Sequence, residues 1–420
     1  MTTPSEPSPD TAPDRRQFLQ QAAGAVAAVA IQPTLVELAG RQPRAPLTVG
    51  LIGVGRQGRA ILAELQKMEQ VRVAAICDVA AARLRAGTRR AKGAEAHAEH
   101  RQLLDQPGID AVIVATPTHA HRTVVTDALA AGKHVYCEAP LAHTVEDTAA
   151  IAKAARGADK VFQAGFLARS NPIYQLARSF LRSGTLRDVI SLRAQDHEKT
   201  SWRIPSSDAA REHELNWRLD PSRSIGLPGE LGAHQFDAIS WFLDAYPSDV
   251  RANGAVRLHK DGREVPDTAV CDLRFADGAQ LSWQASLCNS FEGRYEVFHG
   301  SMATIKLAWT SGWMFKEADA PTQGWEVYAN REAFHNDEGI TLIADATKLA
   351  KQGKLKEGIG LPQPPLWYGL ADFIKSVTEA KPVACSAAEG YRSTVIGISA
   401  NQALTSGVDV HITPELLQVG

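Results

Sequence analysis

Long apolar runs are what this 420-residue chain most lacks. The Ala-rich stretch near the N-terminus is too short to be a comfortable transmembrane helix, and no other segment could span a bilayer. Clusters of basic charge are missing as well. The 45 Lys and Arg are scattered among 47 Asp and Glu, for a net charge of −2, so nucleic acid and stable membrane insertion are not expected as partners. Cysteine is sparse. Cys77, Cys137, Cys271, Cys288 and Cys385 lack metal-ligand spacing, and an odd count argues against a full disulfide framework. No metal site is expected. Cys77 and Cys137 fall in strand-like apolar runs, where a buried inert thiol is the ordinary reading. Internal repeats are absent. A hydrophobic content of 44% and a charged content of 22% are those of a soluble globular protein, and the length suits two or three domains with ample core.

The first 45 residues differ from the rest. Met1 to Pro13 is rich in Pro, Ser and Thr and reads as disordered. Asp14-Arg15-Arg16-Gln17-Phe18-Leu19 follows, then the apolar segment Ala22 to Ile31. A twin arginine before a short, weakly apolar run resembles a Tat export signal. The expectation is periplasmic localisation after folding in the cytoplasm, which also fits the odd cysteine count. The alternative is an amphipathic N-terminal helix on a cytoplasmic enzyme.

From Leu47 to Asp78 the chain reads as strand, glycine turn, helix, strand, acid. Leu47, Val49, Leu51 and Ile52 make a strand-type run, and Gly53-Val54-Gly55-Arg56-Gln57-Gly58 follows at once. Arg59 to Met68 carries apolar residues at helical spacing, Val71 to Cys77 is a second apolar run, and Asp78 closes it. Every part has a physical reason. Gly53 permits the tight turn, Gly55 lets backbone approach a pyrophosphate, and Gly58 lets helix and strand pack closely. A helix N-terminus offers free N–H groups to phosphate. Asp78 accepts hydrogen bonds from a ribose 2′-hydroxyl and repels a 2′-phosphate, so NAD is expected over NADP.

Alternation of strand and helix continues to Phe166, which predicts an α/β domain with a doubly wound, mostly parallel Rossmann sheet over residues 46–168. Ligands then sit beyond the carboxyl ends of its strands, where Gly53, Asp78, Thr116 and Glu138 all fall. From about Asn171 the pattern changes to a helix, a long polar stretch and repeated short alternating strands between Val250 and Trp309. Residues 169–420 are therefore expected to form an α+β domain with a mostly antiparallel open sheet. Phe334 to Leu355 reads as an added helical segment. Pro365 to Thr378 and Ala388 to Leu404 read as closing helices that pack back on the first domain.

Three local patterns bear on chemistry: Thr116-Pro117-Thr118-His119-Ala120-His121, Gly132 to Pro140, and Glu230-Leu231-Gly232-Ala233-His234-Gln235-Phe236-Asp237. With the glycine fingerprint, and with Gly165 to Pro172 at the junction, they resemble the Gfo/Idh/MocA family of glucose–fructose oxidoreductase, inositol dehydrogenases and relatives. The resemblance runs from about Leu47 to Ile412. It implies NAD(P) in the first domain, a sugar or cyclitol against the open sheet of the second, and a homodimer or homotetramer. It further implies that Gly53, Gly55, Arg56, Gln57 and Asp78 touch the adenosine half of the cofactor, and Thr116, His121 and Glu138 its nicotinamide half. His234 matches the family's catalytic histidine, a natural base near neutral pH. Glu230, four residues earlier, orients His234 or holds a substrate hydroxyl; a plain surface pair is the alternative. Arg169, Trp217 and Arg218, with Trp202, resemble a sugar platform and clamp, with loop packing as the bland reading.

One departure stands out. The family's Glu-Lys-Pro is here Glu138-Ala139-Pro140, and a methyl group carries neither charge nor proton. Either His234 works alone, or Lys199, His197, Tyr174 or Arg169 enters, or the reaction is not simple dehydrogenation. Export also implies a tightly held cofactor restored within the site. The readings are an exported sugar oxidoreductase, a redox-neutral glycoside hydrolase or lyase on the same scaffold, and a cofactor-binding protein that has lost catalysis.

Overall fold

The computed structural model describes residues 45–420 apart from 325, 327–328, 335–336, 345–348, 350–351 and 353–358. The Arg15-Arg16 pair and the Ala22 to Ile31 run lie outside the described residues. β1 (Leu47–Ile52) is buried at every position, as its unbroken apolar run requires of a central strand. It pairs in parallel with β2 (Val71–Cys77) on one side and β4 (Ala111–Val114) on the other. With β3 (Glu95–His97), β5 (His134–Glu138) and β6 (Phe162–Gly165), the sheet order is β3-β2-β1-β4-β5-β6, the doubly wound arrangement. Side-chain alternation feeds two cores: Val112 and Val114 join one face, Ala111 and Ile113 the other. β3 has no apolar run, so its residues carry no strand signal; it is an edge strand held by pairing to β2.

The second sheet has ten strands among the described residues, running from an edge at Arg331–Ala333 through Glu338–Thr341, Ser311–Lys316 and Ala303–Ala308 to its centre, and on through Thr268–Phe275 and Pro247–Ala255 to Val410–His411 at the other edge. Its centre is β7 (Val189–His197), flanked by β10 (Gln280–Ser286) and β11 (Arg294–Gly300). β7 and β10 run parallel, and the other neighbouring pairs are antiparallel. In β9 (Thr268–Phe275), Ala269, Cys271, Leu273 and Phe275 face the core while Val270, Asp272 and Arg274 face out. That inner face packs with helices Ala233–Leu243 and Ala387–Ser406 around Trp283, Phe236 and Phe298.

The helical expectation for Phe334 to Leu355 fails at its start, over Glu338–Thr341. Glu338–Thr341 is a strand paired to Arg331–Ala333 and to β13 (Ser311–Lys316), because the edge of that sheet offers backbone partners a short segment cannot supply itself. The closing helices do pack back on the parallel sheet. Leu370, Phe373 and Ile374 of helix Pro365–Glu379 share a core with Leu51, Ile61 and Leu62. Each such side chain contributes about 1.5–3 kcal/mol. Gln163 Nε2 donates to the Gly369 carbonyl at 2.9 Å, and Ser386 and Glu389 cap the last helix reciprocally. All five cysteines are free, and no helix among the described residues is long and apolar enough to cross a membrane.

Candidate active site

The glycine turn is built as close packing demands. Gly53 has φ +94°, and a Cβ there would stand 2.5 Å from the Ala115 carbonyl oxygen. At Gly58 a Cβ would stand 1.9 Å from the Gly53 carbonyl oxygen. Around Gly55 the space is open, with the Arg83 guanidinium 3.8 Å away as the nearest group. Helix Arg56–Leu65 starts here with no side-chain cap and no acid in its first turn. Its first N–H groups and positive dipole end are thus left to an outside anion, and the turn fits a dinucleotide pyrophosphate. Asp78 braces the turn: its carboxylate accepts from Val54 N at 2.9 Å and Ala80 N at 2.8 Å. Arg56 points outward, with Glu198 3.4 Å away.

Beyond the strand ends lies a cleft of about 260 Å³. From the parallel sheet it receives Gln57, Thr116, Thr118, His121, Glu138 and Ala139. From the other side come Trp217, Arg218, Glu230, His234, Arg294 and Trp309. Several polar atoms lining it are buried without a hydrogen-bond partner: Thr116 Oγ1, Glu138 Oε1, Glu230 Oε1, His234 Nδ1, and Nε and Nη2 of Arg294. Buried polar atoms are normally paired, so their concentration in one cleft marks a place where a polar ligand completes the bonding.

His234 stands in the first turn of helix Ala233–Leu243, its ring 5.5 Å from that of Phe166. Burial, then the charges of Arg294 and Arg218, hold its pKa to about 3 against the pull of the Ala139 carbonyl. The ring is neutral at physiological pH and able to accept a proton. Burial pushes the Glu138 carboxyl up to about 7, against the pull of Gln57 and Tyr136. Glu230 is also raised by burial; Arg218 Nε lies 3.6 Å from its Oε2, which accepts from Thr118 Oγ1 at 3.3 Å. No hydrogen bond joins Glu230 to His234. Residues Pro228–Gly232 form a π-turn, which breaks the four-residue register that a regular helix would give the pair. Glu230 therefore braces Thr118 and Arg218 rather than orienting the histidine.

Arg218 is layered between aromatic rings, 5.0 Å from Trp217 and 5.3 Å from Trp202. His119 sits at the rim, 5.8 Å from the Trp217 ring, with burial and then Arg223 lowering its pKa to about 4. His121 is enclosed below the cleft. Nδ1 lies 3.1 Å from the Pro140 carbonyl and Nε2 lies 2.9 Å from that of Thr116; burial lowers the ring's pKa, so the neutral ring donates to one of these two carbonyls.

Arg169 is not brought to the cleft, and the expectation that it contacts substrate is corrected. Its guanidinium is 4% exposed, donates to Asp237 at 2.9–3.1 Å and to Glu389 at 2.6 Å, and has no face left for a sugar. The other stand-ins for the missing lysine are also elsewhere. Tyr174 is wholly buried and donates to Glu296, Lys199 is exposed, and neither these nor His197 line the cleft. Sequence reasoning assigned no role to Thr118, Arg294 or Trp309. For Arg294 a signal existed: Arg294 and Glu296 alternate on one face of a strand whose middle is apolar. Among the described residues no group of three or more His, Cys, Asp or Glu is placed to hold a metal ion.

Known proteins resemble this chain over most of its length. The family model described as "Oxidoreductase family, NAD-binding Rossmann fold" (Gfo/Idh/MocA) matches residues 47–166, and the Gfo/Idh/MocA C-terminal domain model matches residues 174–306. The levoglucosan dehydrogenase of Pseudarthrobacter phenanthrenivorans is 26% identical over 401 residues, spanning 87% of this chain and 98% of that protein. The 2,7-anhydro-N-acetylneuraminate hydratase of Escherichia coli is 27% identical over 211 residues, 49% of this chain and 53% of its own length. Among solved structures, levoglucosan dehydrogenase in complex with NADH and levoglucosan superposes with a TM-score of 0.70 at 24% identity, covering 87% of this chain and 99% of that one. That likeness establishes the fold.

Proposed function

This chain belongs to the Gfo/Idh/MocA oxidoreductase family and carries its NAD-binding Rossmann domain, and from that membership we propose that it oxidises a hydroxyl of a sugar or sugar derivative with NAD held tightly. The observation that carries this reading is the set of unpartnered polar atoms around neutral His234, at the strand ends beside an uncapped helix N-terminus. In this reading Gly53, Gly55, Gln57 and Gly58 hold the pyrophosphate by backbone, Asp78 takes the ribose, and Thr116 and Glu138 flank the nicotinamide. When bound, NAD supplies the hydride acceptor. His234 takes the hydroxyl proton, Glu230 and Arg218 hold neighbouring hydroxyls, and Trp217 forms one wall. The relative named for levoglucosan supports a sugar substrate.

Export through the twin-arginine segment, periplasmic localisation, cofactor retention and a homodimer or homotetramer belong to the same proposal. Ala139 supports a second reading, redox-neutral glycoside hydrolysis or lyase chemistry, and so does the hydratase relative. One experiment separates them. Folded protein is purified, assayed for dinucleotide that survives dialysis, and offered a panel of sugars and glycosides in D₂O. Net NADH, or a reduced second sugar, is the expected result. Glycoside cleavage with solvent deuterium in the product and no net redox change selects the second reading. Sugar binding with neither outcome refutes both and leaves a binding protein.

A further inference from the structure

The lysine absent at position 139 would bring two things: a positive charge at the reacting oxygen and a transferable proton. We propose that these are divided here, with the Arg294 guanidinium holding the sugar oxygen that is oxidised and His234 alone moving the proton. The inference rests on the oxidoreductase reading above and names the residue that fills its gap.

Two cations line the cleft among the described residues, Arg218 and Arg294. Arg218 is 44% exposed, pairs with Glu230 at 3.6 Å and lies against its two tryptophans, where solvent can reach its donors. Arg294 differs in having buried donors without a hydrogen-bond partner. It opens β11, lines the same cleft as Ala139 and His234, and keeps 21% of its side chain exposed. Its Cζ lies 3.9 Å from the centre of the Trp309 ring, which fixes the guanidinium plane. Nε and Nη2 have no hydrogen-bond partner. The nearby carboxylate oxygen, Glu296 Oε1, is 3.8 Å from Nε, beyond bonding distance, and already accepts from Gln235 at 2.7 Å. Glu296 and Asp196, the latter opposite in register, balance the charge of Arg294 electrostatically, but neither accepts a hydrogen bond from Nε or Nη2. Leaving charged donors unpaired away from water is costly, and an oxygen acceptor on the ligand offsets that cost.

Arginine stays charged throughout the physiological range, so it stabilises a developing negative oxygen without relaying a proton. The step balances. The O–H bond breaks and its proton goes to the His234 ring. The carbon's hydrogen leaves with its electron pair to NAD⁺, giving NADH, and the remaining oxygen pair closes the C=O bond. In reverse, Arg294 polarises that carbonyl.

Arg294→Gln in the holoenzyme is expected to lower single-turnover hydride transfer by about 10²–10³-fold, the usual loss for a preorganised charge donor, with NAD affinity unchanged. Adding Ala139→Lys to that variant is expected to restore at least about tenfold of the loss. The charged groups around His234 are Glu138, Arg218, Glu230 and Arg294, and Arg294 is the larger of the charges depressing it. The acid limb of kcat/KM should therefore move to higher pH in Arg294→Gln, which a purely structural role would not produce. If the glutamine variant does not fold, Arg294→Met, similar in length and uncharged, serves for the same measurements with the same expected loss and pH shift, while Arg294→Lys, which keeps the charge, is expected to retain most of the rate. An active wild type with an Arg294→Gln rate within about threefold, or a loss that Ala139→Lys does not relieve with an unmoved pH limb, overturns the assignment. A wild type that oxidises no sugar overturns the functional reading and the Arg294 role together.

Discussion

Replacing Asp78 by Ala tests whether this carboxylate selects the cofactor or only braces the turn. A carboxylate about 4 Å from a 2′-phosphate repels it by about 4 kcal/mol per unit charge at the effective dielectric of a protein surface. Salt and solvent reduce that figure, leaving a preference for NAD over NADP of order 10²–10³. The same side chain accepts from Val54 N and Ala80 N, so its loss also frees two backbone donors. At roughly 1 kcal/mol net for each of the two hydrogen bonds, NAD affinity should fall by up to about thirtyfold as the turn loosens. Arg83, beside Gly55 and electrostatically coupled to Asp78, would then face an incoming phosphate without a competing anion. The expected outcome is a fall in NAD affinity and a rise in NADP affinity. Tryptophan-fluorescence titrations with both nucleotides, at low and high salt, measure it. Equal losses for both nucleotides would refute the selectivity argument and leave Asp78 a turn clamp.

The remaining predictions concern the cleft and its supports. His234→Ala should lower turnover by about 10²-fold or more with the fold intact, checked by steady-state rates and circular dichroism. Glu138 has its carboxyl raised from 4.5 to about 7, so the unfolded chain ionises it first and its contribution to stability declines as pH rises through that window. The difference in melting temperature between wild type and Glu138→Gln, followed from pH 4.5 to 7, should therefore shift against wild type as pH rises; a flat difference would show the carboxyl is not perturbed. Arg169→Ala leaves Asp237 buried without its partner and should cost about 3–5 kcal/mol in denaturant unfolding. Its KM for substrate should stay unchanged, because the guanidinium does not reach the cleft.

Legibility followed sequence distance. The turn Gly53 to Gly58, the buried strands β1 and β4, and the position of Asp78 after β2 are local patterns, readable from apolar period and glycine placement. Glu230 and His234 were found by motif, but their mutual geometry was not. A single π-turn changes which side chains share a face, and no propensity marks it. Arg169 misled because an arginine beside the junction reads alike whether it meets a sugar or a carboxylate. Its partners are 68 and 220 residues away.

By itself, the sequence determined the parallel sheet, the dinucleotide turn, the change to short alternating strands, and the absence of lysine at position 139. These follow from side-chain period and backbone freedom within some thirty consecutive residues. Only the tertiary structure decided what surrounds His234. Thr118, Arg218, Arg294 and Trp309 reach that cleft from separate turns and strands, and strand register and helix packing set which of their charges are paired and which are left free.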